Sequence, residues 1–276
     1  MSNHTDELWR GERFDFGANW MQFISLLDEE RIQVARSSLC RMLGVKSLEG
    51  KSFVDVGSGS GLFSLAARML GARVHSFDYD RQSVDCTREL KRRHFPDDVN
   101  WTIEEGSVLD RGYLKRLQKF DVVYSWGVLH HTGAMWTALD LVTQLVKPGG
   151  QLFIAIYNDQ GVQSRFWRMV KRTYCKSTFG RLSLKVIFFP YFAIGGAIND
   201  IARLRNPINR YTNCKSARGM SVLHDWVDWL GGYPFEVAKP EQVRDFYTMR
   251  GFQLIHATTT NGGLGCNEFV FVQLQD

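Results

Sequence analysis

A glycine-rich segment preceded by one acidic residue is the strongest candidate for chemistry in this sequence. It reads FVDVGSGSG, and Gly57, Gly59 and Gly61 follow an apolar run that is typical of a buried strand. Glycines at such a point let the backbone approach a bound molecule closely at the start of the next helix. Asp55 stands two residues before the first glycine. Its negative charge would repel a pyrophosphate, so the segment favours a ligand with a cationic amino group.

Polar or small residues also end the next three apolar runs of the chain. A carboxylate at the position of Asp78 can accept hydrogen bonds from both hydroxyls of a ribose, and Tyr79 can pack on an adenine. S-adenosylmethionine (SAM) carries an adenosine, an ammonium and a sulfonium but no phosphate, and it therefore fits this pattern. The predicted cofactor-binding residues are Asp55, Gly57, Ser58, Gly59, Gly61, Asp78, Tyr79, Ser107, Val108, Trp126 and Gly127.

Two adjacent histidines, His130 and His131, follow the fourth apolar run. Methyl transfer to a hydroxyl is helped by a base that removes the hydroxyl proton, and histidine titrates near neutral pH. We expect at least one of the pair to be catalytic, with His131 favoured. A packing role for both is the alternative.

Aromatic and polar residues near the end of the fifth apolar run and in the segment 218–236 are candidates for contact with a substrate. The alternative for the segment 218–236 is a structural clamp. Trp20 belongs to an aromatic segment that could act as a lid over the cofactor, and the alternative for it is a packed helix. The predicted substrate-binding residues are Trp20, Tyr157, Asn158, Arg218, His224, Asp225 and Tyr233.

The elements that position these residues alternate between strands and helices. Such alternation predicts an α/β fold with a parallel sheet and helices on both faces. The rhythm stops after Asn158 and resumes near position 235, which predicts an N-terminal helical lid (1–50), a sheet domain (51–158 and 235–276) and a helical insertion (159–234). Strands are predicted at 52–56, 73–77, 101–104, 120–126, 151–157, 252–259 and 268–274, with a sharp turn at 147–150.

These motifs resemble motifs I to IV of the class I SAM-dependent methyltransferases, over residues 50–158 and 240–276. The resemblance implies a Rossmann-like, mostly parallel sheet in the order 3-2-1-4-5-7-6, with an antiparallel seventh strand and the insertion as a substrate cap. It also implies SAM as cofactor and S-adenosylhomocysteine (SAH) as product. Ser107 departs from the aspartate of many members, so a hydroxyl or the backbone is expected to contact adenine there. The predicted reaction is O-methylation of a small molecule.

The insertion is strongly basic. Residues 160–218 contain twelve lysines and arginines and one acid, Asp200. This charge indicates an acidic partner, an anionic surface or an anionic substrate group, and a solvated basic helical face is the alternative. The apolar run 186–198 suits an apolar tail or contact with a membrane surface, and burial on the core or in a dimer is the alternative. A basic insertion also suits an RNA base-modifying enzyme, although no separate nucleic-acid-binding domain is visible in the sequence. A SAM-binding protein without catalytic activity is the third hypothesis.

Composition sets broader expectations. The five scattered cysteines without a CxxC motif predict reduced thiols and a cytoplasmic protein, and the N-terminus has no signal-peptide pattern. No spacing of His, Cys, Asp and Glu predicts a metal site. The run 186–198 contains Pro190 and is too short for a transmembrane segment. A homodimer is left open.

Overall fold

One seven-stranded sheet organises the protein, whose computed structural model describes residues 4–208 and 222–275. The strands are β1 (Ser52–Val56), β2 (Arg73–Asp78), β3 (Trp101–Glu105), β4 (Phe120–Trp126), β5 (Val146–Tyr157), β6 (Phe252–Thr258) and β7 (Cys266–Gln273). Their order is β3-β2-β1-β4-β5-β7-β6, and β7 alone runs antiparallel to the other six strands. This order and the antiparallel last strand confirm the predicted fold.

Helices cover both faces of the sheet, so β1 is buried at all five positions. Helices α3, α4 and α5 pack on one face, and α6, α7 and α11 pack on the other. The helices are α1 (His4–Trp9), α2 (Phe16–Ser25), α3 (Glu29–Leu43), α4 (Leu62–Met69), α5 (Arg81–His94), α6 (Arg111–Arg116), α7 (Met135–Thr143), α8 (Val162–Lys176), α9 (Thr178–Ala202), α10 (Val222–Gly231) and α11 (Pro240–Thr248); a short 3-10 helix spans Leu129–His131.

Aspartates start three of these helices. The side chains of Asp28, Asp80 and Asp110 each accept hydrogen bonds from backbone N–H groups in the first turn that follows. These groups have no partner within the helix itself, so each cap stabilises a helix start by about 1 kcal/mol. The cap at Asp110 explains where α6 begins. This helix is too short to be predicted from apolar periodicity.

The predicted turn at 147–150 belongs to the start of β5. The pairing register between β4 and β5 shifts between Phe120 and Val122, and Gly149 has a positive φ of 74°. A bulge at a glycine lets the strand bend while it stays paired with β4. The turn signal therefore marks an irregularity within β5 and does not end it.

The insertion forms an apolar cluster apart from those on the two faces of the sheet, here called the cap cluster. Residues of α8 and α10 meet Phe14 and Phe235 there, and Tyr174 and Leu230 are almost fully buried. The run 186–198 is the middle of α9, which has 25 residues and includes Pro190. Among the described residues, α9 is the one helix that is long and apolar enough to cross a membrane. The predicted shortness of this apolar segment was therefore wrong, because the flanking residues continue the helix.

Candidate active site

A cavity of about 660 Å³ opens at the carboxyl edge of β1, β2, β3 and β4. Sites for small molecules commonly have this size, and in open α/β sheets they lie at this edge. Its lining combines the glycine-rich loop after β1 with the ends of β2, β3 and β4 and with side chains from α1 and α2.

The glycine-rich loop presents bare backbone to the cavity. Gly57 has a φ of +80°, and a Cβ there would lie 2.4 Å from Cγ1 of Val128. The backbone N–H of Gly59 donates a hydrogen bond to a carboxylate oxygen of Asp78 over 2.9 Å. A side chain at Gly57 would therefore clash, and the bond from Gly59 joins the loop to the end of β2.

Gly61 has a different role from the one predicted. It does not line the cavity, and a Cβ at this position would lie 2.8 Å from the backbone of Thr87 in α5. The residue lets α4 start close against α5. The other ten predicted cofactor-binding residues line the cavity.

Two buried carboxyl groups give the cavity its electrostatic character. Burial raises the pKa of Asp55 to about 7 and that of Asp78 to about 6. Asp55 accepts a hydrogen bond from the Ser64 hydroxyl over 2.5 Å, and Asp78 accepts two from backbone N–H groups. Burial disfavours the ionised carboxylates, so a cationic ligand in the cavity would stabilise them. The two acids and the bare loop thus fit the ammonium and sulfonium of SAM.

Aromatic and small residues surround the rest of the predicted cofactor site. Ser107 and Val108 follow β3, and the Ser107 hydroxyl accepts a hydrogen bond from the backbone of Leu109. Trp126, at the end of β4, donates its indole N–H to Glu268 of β7 over 2.6 Å. This bond fixes the indole of Trp126 at the cavity wall. The sequence did not predict this role for Glu268.

Helices α1 and α2 cover the cavity. Phe16, Trp20 and Phe23 line it, and the indole of Trp20 lies against Gly59, since a Cβ on that glycine would come 3.1 Å from the indole nitrogen. The predicted substrate residue Trp20 thus contacts the glycine-rich loop. The position agrees with the lid role considered for this segment.

Arg13 ties this cover to the sheet domain, and sequence reasoning missed it. Its guanidinium donates to Glu7 over 2.7 Å and to the backbone carbonyl of His131 over 2.9 Å. It also lies 5.3 Å from the ring centroid of Tyr79. In the sequence, Arg13 is one arginine directly before an aromatic stretch. No periodic pattern there distinguishes it from other surface arginines.

Arg13→Ala is expected to weaken SAH binding by about tenfold, because the loss of about 1.4 kcal/mol in hydrogen bonds to a charged group leaves the cover less often closed. Isothermal titration calorimetry with SAH measures the change. Arg10→Ala, an exposed arginine of the same segment, is the matched control. An unchanged affinity in Arg13→Ala would show that the cover closes without this side chain.

The two adjacent histidines lie in different surroundings. His131 lines the cavity, and its Nδ1 lies 2.6 Å from the carbonyl oxygen of Pro234. Because a carbonyl only accepts hydrogen bonds, Nδ1 carries the proton and Nε2 is the acceptor of the ring. Burial lowers the pKa of His131 to about 3, so the ring is neutral near physiological pH.

His130 is fully buried and does not line the cavity. Its Nδ1 accepts a hydrogen bond from the backbone N–H of Tyr157 over 3.3 Å, and burial lowers its pKa well below the ordinary value. Its ring centroid lies 4.1 Å from that of Tyr157 and 4.4 Å from that of His131. A catalytic role for His130 is therefore not supported by its position, and its contacts hold β4 against β5.

Most of the predicted substrate residues do not meet at the cavity. Tyr157 and Tyr233 pack in the cap cluster. The Asn158 amide donates to the Gly263 carbonyl and accepts from Asn267, which joins β5 to the hairpin of β6 and β7. Arg218 lies outside the described residues. So do the side chains of His224 and Asp225, whose backbone belongs to α10.

No described residue of the insertion lines the cavity, whose lining residues run from His4 to Thr132 along the chain. The aromatic density of the segment after Val222 instead forms the cap cluster. For the described part of the segment 218–236, the arrangement therefore favours the structural clamp over the substrate wall.

Comparison with known proteins agrees with the predicted fold and with a methyltransferase domain. Residues 54–152 match the family model of a methyltransferase domain. A ubiquinone biosynthesis O-methyltransferase from Coxiella burnetii is 29% identical over 112 residues, which are 41% of this chain and 46% of that protein. The chain thus spans about half the length of the curated relatives it matches.

Two solved structures share the fold across most of the chain. One is a methyltransferase in complex with the Trm112 methyltransferase activator of Haloferax volcanii, with 15% identity, a TM-score of 0.55 and coverage of 95% of this chain and 99% of that one. The other is magnesium protoporphyrin IX methyltransferase from Synechocystis PCC 6803 with bound SAM, with 12% identity, a TM-score of 0.52 and coverage of 88% and 79%. The sheet order and the glycine-rich loop with its acids define a Rossmann-like methyltransferase domain. Residues 54–152 of the chain thus match a methyltransferase domain, and the sheet has the strand order expected for class I SAM-dependent methyltransferases.

Proposed function

We propose that this protein transfers the methyl group of SAM to an oxygen of a small-molecule acceptor, a hydroxyl or an acidic group. The observation that carries the proposal is the common cavity. The residues that fit SAM and a neutral histidine, His131, line the same cavity. Cofactor and acceptor can therefore meet beside a neutral imidazole, whose Nε2 can accept a hydrogen bond from the acceptor's hydroxyl.

SAM supplies a methyl group on a positively charged sulfur, which is a good leaving group. The protein then has to hold the two reactants in line and keep water away. Asp55 and the glycine-rich loop would hold the amino acid part of SAM, and Asp78 would hold the ribose. Phe16, Trp20 and Phe23 line the cavity with apolar rings, which would keep water from the bound reactants.

His131 would act as the general base. Its Nδ1–H donates to the Pro234 carbonyl, which orients the ring and leaves Nε2 to accept the acceptor's hydroxyl proton. As that proton moves to Nε2, the acceptor oxygen would gain the methyl group, and the bond from that carbon to sulfur would break to leave SAH. An acceptor that is already an anion would not need this proton transfer.

Two observations support a small molecule over RNA. The cavity is covered by α1 and α2, and no described residue of the basic insertion lines it. A base in an RNA chain would have to be flipped out of its stack and threaded under that cover. The name of the Coxiella burnetii relative also supports oxygen as the acceptor atom, although that relative matches only 41% of this chain.

Methyl transfer from radiolabelled SAM distinguishes these substrates. We expect label in the organic extract with a panel of phenols, hydroxylated lipids and carboxylic acids, and none in bulk tRNA. Label confined to tRNA would replace the proposal with the RNA-modifying alternative. Tight SAH binding without transfer to any class, including a whole small-molecule extract, would favour a SAM-binding protein without catalysis.

A further inference from the structure

Helix α9 uses one side to pack on the insertion. Phe188 and Phe192 lie 5.4 Å and 6.3 Å, by ring centroids, from Trp167 of α8. Phe189 and Phe192 lie 5.5 Å and 5.6 Å from Trp226 of α10. This aromatic side of α9 therefore already has its partners within the described residues.

The other side of α9 is apolar as well, and it is exposed. A helix on the surface of a soluble protein normally places polar residues on the side that faces water. Here eight large apolar side chains recur at helical spacing with 60–81% of each exposed. This outer face of α9 consists of Phe179, Leu182, Val186, Ile187, Tyr191, Ile194, Ile198 and Ile201.

The segment that carries the outer face is strongly basic. Residues 160–208 contain nine lysines and arginines against one acid, Asp200, and Asp200 is buried. Arg203 and Arg205 are exposed directly after α9, whereas the Arg181 guanidinium lies over the ring of Tyr174 on the packed side of the helix. The segment 160–208, which carries the apolar face, is therefore positively charged, and its one acid is not exposed to offset this charge.

We propose that the outer face of α9 docks the protein on an anionic lipid surface. Apolar side chains would enter the region between headgroups and acyl chains while the flanking cations meet anionic headgroups. A second copy of this chain fits the same face less well, because a two-fold contact would bring the two basic borders together. This docking site is separate from methyl transfer and goes beyond it.

The packing of α9 also gives its orientation on the lipid. Its aromatic side is held by Trp167 and Trp226, so only the outer face is free to meet acyl chains. A helix held along its length by a folded domain lies in the plane of the interface, at a depth of about 5–10 Å. Docking in this way leaves the sheet domain in water.

Co-sedimentation with vesicles tests the docking. The probes are vesicles of phosphatidylcholine alone and vesicles with about one third phosphatidylglycerol. We expect the protein to bind the anionic vesicles at least about tenfold more tightly. The variant Ile187→Asp/Ile194→Asp is expected to lower binding by about 100-fold, and Arg203→Glu/Arg205→Glu by about 20-fold.

Matched controls lie away from the insertion. Val99→Asp replaces an exposed apolar residue by aspartate, as the α9 variant does, at a position between α5 and β3 that is 90% exposed. Lys115→Glu reverses an exposed charge in α6. Both are expected to leave vesicle binding within about twofold. Unchanged SAH affinity in all variants shows that they are folded, and it separates this proposal from the proposed function.

Three results would overturn the docking. Equal binding to both vesicle types would remove the anionic surface from the explanation. Conversion of a dimer to a monomer by Ile187→Asp/Ile194→Asp, with vesicle binding unchanged, would make the face a subunit interface. Retention in vesicles after an alkaline carbonate wash would make α9 a spanning helix instead of an interfacial one.

Discussion

His131→Gln is expected to lower kcat for methyl transfer to a hydroxyl by about 100- to 10,000-fold, the range that a general base contributes. Glutamine keeps a hydrogen-bonding side chain of similar length but has no nitrogen lone pair that accepts a proton. SAH affinity is expected to stay within about threefold, since the ring makes no contact on which the glycine-rich loop depends. Single-turnover transfer from radiolabelled SAM measures the loss, with the exposed His256→Gln as control.

A second measurement separates a base from a residue that only shapes the cavity. Across a series of acceptors, the loss in His131→Gln is expected to shrink as the acceptor hydroxyl becomes more acidic, because an ionised oxygen needs no base. A purely structural role would lower kcat by the same factor for every acceptor. The wild-type rate is also expected to show no loss from protonation of His131 between pH 5 and 8, because burial holds its pKa near 3. A uniform loss across the series would refute the assignment.

The cofactor half of the site was predictable because its signals are local. A buried strand, a glycine-rich loop and an acid at a neighbouring strand end are each read from a few consecutive residues, and the parallel sheet brings their carboxyl ends together. Gly61 was the exception. Its neighbour, Thr87, lies in the next helix but one along the chain, and that contact has no signature near Gly61.

The acceptor half depends on contacts between distant parts of the chain. His130 and His131 are adjacent in sequence, yet one is buried against Tyr157 and the other faces the cavity, because Pro234 holds its ring. Aromatic density after Val222 suggested a pocket wall, but the same residues are equally suited to an apolar core. Composition alone does not distinguish these two uses. The lid residue Arg13 is another case, since its partners lie on three separate elements.

Asp78→Asn is expected to weaken SAM binding by about 100-fold. The carboxylate is a charged acceptor for the ribose, and each such hydrogen bond contributes about 1.5–3 kcal/mol. An amide nitrogen would also face the backbone N–H of Gly59 or Asp80, which now donate to the two carboxylate oxygens, so the loop loses part of its support. Calorimetry with SAM and SAH measures the change, with Asp85→Asn on the surface of α5 as control. An affinity within about threefold of wild type would refute the ribose assignment.

The pH dependence of the wild-type protein tests both acids without any substitution. The pKa of Asp55 is raised to about 7 and that of Asp78 to about 6, so both groups take up protons as the pH falls through this range. A protonated carboxyl has lost the charge that attracts a cation, whereas bound SAM favours the ionised form and lowers these pKa values. SAM affinity should therefore be full above about pH 8 and fall below pH 7, by at most about tenfold per pH unit for each group, with proton release on binding. Affinity that stays constant from pH 8 to pH 5 would show that the charge of neither carboxylate contributes to SAM binding.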